Sequence, residues 1–108
     1  MTHNFKKQRA ETYAVFADVQ AQSELPDFAD IDYAFVPLEG ADWDGAEAAL
    51  NAAEFECSRE EDDDGAPYLG ASLADQPVTA LAIWLGEEAA TQILLPFRFV
   101  PDGWGFMA

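Results

Sequence analysis

The spacing of apolar residues switches between two periods along this chain, and that alternation most narrows what the chain can fold into. Residues 4–22 contain no Gly or Pro, and Phe5, Thr12, Tyr13, Phe16 and Val19 fall at three- and four-residue steps. That is the spacing of one helix face. Asn4 suits the N-cap, and Ser23 to Pro26 ends the run. At Asp30–Leu38 the period becomes two, with Ile31, Tyr33 and Phe35 alternating with Asp32, Ala34 and Val36. β-branched and aromatic residues at that period predict a strand, buried on its Tyr33 side.

Gly40 then turns the chain, and Asp42 or Asp44 can cap a helix over Trp43 to Ala53 whose many alanines favour helix and close packing. Residues 54–59 alternate again, with Phe55 and Cys57 on the inner side. Glu60–Gly65 (EEDDDG) reads as a hairpin loop by its Asp-Gly ending, and Pro67–Leu73 as the return strand. Val78 to Leu95 is apolar nearly all round. Asp75 with Pro77 signals a helix start and Pro96 a stop, whereas Gly86-Glu87-Glu88 is a rival start that would make Ala80–Leu85 a strand. A single helix is the preferred reading. Phe97, Arg98 and Phe99 alternate in a last short strand that runs into Pro101–Phe106. The order of elements predicts an α+β, ferredoxin-like sandwich spanning residues 1–108 as one domain: a four-stranded antiparallel sheet, two packed helices and an extra N-terminal helix about 4–22. One sheet face is expected under helices, the other partly open or covered by the first helix.

Charge narrows the partners. The 108 residues are 50% hydrophobic and 13% aromatic, enough for a core, yet they carry 21 Asp+Glu against five Lys+Arg, a formal net of −16. Lys6, Lys7 and Arg9 cluster near the start, so beyond them only Arg59 and Arg98 oppose all 21 acids. Such a surface repels phosphate backbones and anionic lipid, and attracts basic proteins. The longest apolar run, Ala80 to Leu85, is far short of the ~20 residues of a membrane helix. Lys6, Lys7 and Arg9 mimic the basic start of a signal peptide, but Glu11, Asp18 and Gln20 interrupt the apolar stretch such a peptide needs next. A cytoplasmic protein is expected, and the lone Cys57 fits a reducing compartment.

Catalytic sets are thin. His3, the only histidine, sits in a terminus expected to fray, and Cys57 reads as a buried structural thiol with no histidine to activate it. Glu60, Asp62, Asp64 and Gly65 match positions one, three, five and six of a calcium loop, but Ala71 stands where the bidentate acid belongs. One Cys and one His cannot supply a structural zinc set, and Gly65, Gly70 and Gly86 match no phosphate-binding spacing. The expectation is a non-enzymatic protein without cofactor or metal. Trp84 reads as core. Asp102-Gly103-Trp104-Gly105-Phe106 reads as a sharply turned segment, its Trp104 either a core anchor or an exposed recognition residue.

Three stretches resemble one family. Gln8-Arg9-Ala10-Glu11-Thr12 is similar to a Q-R-x-E-T run in an opening helix. An Ala-rich helix leads to Phe55-Glu56-Cys57 and an acidic turn ending in Asp-Gly. Asp102-Gly103-Trp104-Gly105 matches a D-G-W-G signature. Together they resemble the bacterial regulator of ribonuclease E activity B family across essentially the whole chain. The resemblance implies a ferredoxin-like fold and a small acidic protein that binds ribonuclease E and restrains RNA decay without catalysis. Longer members of that family carry an acidic tail beyond the point where this chain stops at Ala108. Candidate partner contacts are Glu60, Glu61, Asp62, Asp63 and Asp64, with Asp102 and Trp104. The other target class open to so acidic a chain is a DNA- or RNA-binding protein whose groove it would occupy as a nucleic-acid mimic.

Overall fold

The computed structural model describes residues 3–106. Helix α1 spans Phe5–Gln22, with the Asn4 carboxamide accepting the Lys7 N–H at 2.9 Å. Strand β1 (Phe28–Pro37) comes next, then α2 (Trp43–Ala52), capped by Asp42, which accepts the Gly45 N–H at 3.0 Å. Strands β2 (Glu56–Glu61) and β3 (Pro67–Pro77) form a hairpin. Helix α3 (Ala80–Leu94) runs into one 3-10 turn at Leu95–Phe97, and β4 (Phe99–Phe106) closes the fold.

The strands lie in the order β2-β3-β1-β4, every neighbour antiparallel. Each crossover through α2 or α3 skips one strand, which is the ferredoxin-like α+β arrangement. Alternation places Ile31, Tyr33 and Phe35 of β1, Leu69 and Ala71 of β3, and Phe99 of β4 on one face. There they meet Ala46 and Leu50 of α2 and Ile83, Ala90 and Leu94 of α3 in a single core. Trp84 is buried as well. Among the described residues no helix is long and apolar enough to cross a membrane.

Helix α1 lies against α3, so among the described residues no helix covers the far face of the sheet. Its buried residues are Gln8, Thr12 and Phe16, one every four positions. Phe16 approaches the Trp104 ring at 6.5 Å between centroids. The other two are polar: the Gln8 amide donates to the Thr91 hydroxyl at 3.0 Å, and the Thr12 hydroxyl donates to Glu87. Tyr13 and Val19, expected on the packed face, are only half-buried.

Several boundaries differ from expectation. Helix α3 forms through Ala80–Leu85, but its cap is Thr79, because β3 continues through Asp75 by pairing with β1 as far as Pro77. Strand β2 extends through Glu60 and Glu61, which pair with Tyr68 and Pro67, so only residues 62–66 turn. Phe97 belongs to the 3-10 turn, and Arg98 adopts a left-handed φ of 67° rather than strand geometry. Asp102–Gly105 is not a sharp turn. It is strand, paired with β1 and carrying a bulge at Asp102, where one β4 residue is left without a partner between Ala34 and Phe35.

Candidate functional site

Cross-strand partners share a face, so the register fixes what the uncovered side of the sheet presents. One row crosses it as Glu56, Ser72, Asp32 and Gly105, and the next as Ser58, Gly70, Ala34 and Gly103. Glu60 and Tyr68 begin a third. The floor is therefore built of Gly, Ala and Ser, and it forms a trough of about 480 Å³ edged by Asp32, Glu60, Tyr68 and Asp102. The Ser72 hydroxyl donates to Asp32 at 2.5 Å and aims that carboxylate. Gly105 has open space where a Cβ would stand, and so does Gly103, whose φ is +128°.

A second cleft, about 340 Å³, opens on the other side of β4 beneath α1 and is lined by Gln8, Glu11, Thr12, Glu87, Asp102 and Trp104. The Asp102 bulge borders both hollows. Glu87 is 3% exposed. Burial raises its pKa and Glu11 adds to the rise, outweighing the hydrogen bonds from Thr12 and Gln8 and the attraction of His3. Trp104 is half-buried, stacked near Phe106 at 6.2 Å and packed on Phe16, so it anchors β4 to α1 while keeping part of its ring in contact with solvent.

The sequence-derived contacts divide. Glu60 and Asp102 border the trough. Trp104 lies at its margin too, but it pairs with the core residue Tyr33, so its ring is on the helix side of the sheet against Phe16. Glu61 ends β2 beside Arg59 and Trp43. Asp62, Asp63 and Asp64 form the exposed hairpin turn, but Asp62 also holds that turn together. Its Oδ1 accepts the backbone N–H of Asp64 and of Ala66, each at 2.9 Å. The calcium-loop spacing does not survive folding, since Glu60 is held in a strand and Asp62 is engaged by its own turn.

His3 and Cys57 each depart from expectation, His3 by being held in place and Cys57 by being less buried. His3 is half-buried, with Nε2 2.6 Å from Gln8 Oε1 and its ring edge-on to Phe5. Cys57 is half-buried rather than fully enclosed, its Sγ 3.5 Å from Asn51 Oδ1. Burial first, and then Glu47, raise its pKa and favour the unreactive thiol. Arg59 is committed to α2, at 2.8 Å from Asp44 and 2.6 Å from Glu47, with its guanidinium 5.3 Å over the Trp43 ring. Those hydrogen bonds raise its pKa further.

Sequence reasoning missed Asp32, Glu87 and the small-residue floor. Alternation placed Asp32 opposite Tyr33, which was the available signal. Which glycines would line up with it depends on strand pairing. No protein-family model matches the chain, and no curated protein matches it either.

Proposed function

We propose that the protein is a non-enzymatic acidic regulator that works by docking on a basic protein, with an arginine-rich region of a ribonuclease E-type enzyme as the leading target. The observation that carries this reading is the scarcity of internal counterions. Among the described residues Arg59 alone forms side-chain ion pairs, and it occupies only Asp44 and Glu47. The candidate contacts Glu60, Glu61, Asp62, Asp63, Asp64 and Asp102 are exposed, and none of them joins those pairs. A surface so undersupplied with cations gains favourable pairing and fast, steered association when a basic partner arrives. The resemblance of Gln8–Thr12 and Asp102–Gly105 to the ribonuclease regulator family selects RNA decay as the process.

The test is calorimetric titration of the full chain with the arginine-rich scaffold region of a ribonuclease E-type enzyme, with RNA decay followed in parallel. Binding that weakens steeply between ~50 and ~300 mM salt, with slowed decay, supports the reading, because exposed charge is screened over ~8 Å at physiological ionic strength. Binding instead to a DNA- or RNA-binding protein, competed by its nucleic acid, moves the function to mimicry. No binding to either at low salt removes the acidic-partner reading.

A further inference from the structure

We propose that the uncovered sheet face is the docking surface, and that its occupant is a basic segment of the partner, laid across the strands with arginine or lysine side chains against Asp32, Glu60 and Asp102. This rests on the reading that the protein docks on a basic protein.

Three observations converge on that face. First, its acids stand without any base beside them. Lys6, Lys7 and Arg9 are on α1, Arg59 points to α2, and Arg98 precedes β4, where it donates to the Glu39 carbonyl at 2.5 Å. All five bases thus lie off the open face, while Glu56, Glu60 and Asp32 project from it. Second, the floor of Ser58, Gly70, Ala34 and Gly103 offers no large apolar side chain. An amphipathic helix would find little to bury there, and a second copy of this chain would bring like charge against like charge. Third, Tyr68 borders the trough, presenting an aromatic ring among carboxylates. That combination suits a guanidinium, which pairs with carboxylates through its planar fork and stacks on aromatic faces. Four strands at ~4.8 Å spacing make a platform ~15–20 Å across, room for one extended or helical segment.

The experiment uses a nine-residue arginine peptide titrated into the isotope-labelled full chain and followed by amide chemical shifts. Shifts are expected to concentrate at Asp32, Ala34, Ser58, Gly70 and Gly105. The paired variant Asp32→Asn with Glu60→Gln should weaken binding about tenfold, and Asp63→Asn with Asp64→Asn, which removes equal charge from the hairpin tip, less than twofold. Gly105→Leu changes no charge and places its side chain in open space on the floor. It should weaken the peptide about fivefold or more, because the segment must lie where that side chain stands. Shifts confined to residues 62–66 or to α1, or equal losses from both paired variants, overturn the sheet-face assignment while leaving a basic partner standing. Absence of peptide binding at low salt overturns both.

Discussion

Glu87 is the only buried carboxylate among the described residues, and it sits where α1 meets α3. Folding places it beside Thr12, Gln8 and Glu11, and burial dominates, so the folded chain holds this proton to a higher pH than the unfolded chain does. That direction sets the sign of the linkage. The site's contribution to stability is full below the unfolded pKa and is lost as pH rises through the folded one. Glu87→Gln keeps an acceptor for the Thr12 hydroxyl and removes the charge. The variant should be more stable at neutral pH by on the order of 1 kcal/mol, with the advantage shrinking as pH falls toward ~5. Urea unfolding of both proteins across that range measures the difference; parallel curves would mean that Glu87 is already fully compensated as an anion. Nothing in the sequence marked Gln8 as part of this junction. A polar residue on an otherwise sparse helix face looks solvated until its distant partner Thr91 packs against it from α3.

Among the elements, α3 packs tightly on the sheet at Gly86, where an added Cβ would fall inside contact distance of the Tyr33 hydroxyl and 3.1 Å from Leu73. Tyr33 is fully enclosed and donates to the Ile83 carbonyl at 2.9 Å, so it cannot swing aside cheaply. Gly86→Ala should destabilise by about 1–3 kcal/mol. Tyr33→Phe alone should lose about 1 kcal/mol with its hydrogen bond. The double variant should lose less than the sum, since removing the hydroxyl takes away the nearest of the contacts the methyl would make, although the ring's Cζ stays at 2.9 Å; strict additivity in a denaturant cycle would sink that account. At the β2–β3 turn, Asp62→Ala should cost about 1 kcal/mol, whereas Asp62→Asn keeps the acceptor and should be near neutral by thermal melting. The same residues show what was legible. Period marked α1, β1 and β2, and most clearly β1, whose core side chains alternate without interruption. Helix α2 came from its alanines and capping Asp, the hairpin from Asp-Gly, and α3, apolar nearly all round, from its flanking prolines. Boundaries failed where pairing overrode local signals: Pro77 ends β3 instead of opening α3, and the glycines flanking Trp104 lie in a paired strand. Gly86, the rival helix start, lies inside the single helix of the preferred reading, where it makes a close approach to the sheet.

At the scale of the whole molecule, the acidic excess was plain in the sequence, but its placement was not. A face is a property of register, and residues as distant as Ser58 and Gly103 share one only once β2, β3, β1 and β4 are aligned. A net charge of −16 also acts on the fold itself, because unpaired carboxylates repel one another in the compact state more than in the expanded one. Salt should therefore act with opposite signs on folding and on docking. Raising NaCl from ~50 to ~500 mM shortens the screening length from well over ~10 Å to a few ångströms, which relieves self-repulsion and should raise the melting temperature by several degrees. Over the same range, association with a basic peptide should weaken. Glu60→Lys separates the two within one side chain. It places a cation at the edge of the trough, near remaining acids, so the free protein should be as stable as wild type or more so, by up to about 0.5 kcal/mol. Its affinity for the arginine peptide should fall more than that of Glu60→Gln, because the new cation opposes the peptide rather than merely failing to attract it. Equal affinities for the Glu60→Lys and Glu60→Gln variants would place Glu60 outside the interface, however the salt dependence ran.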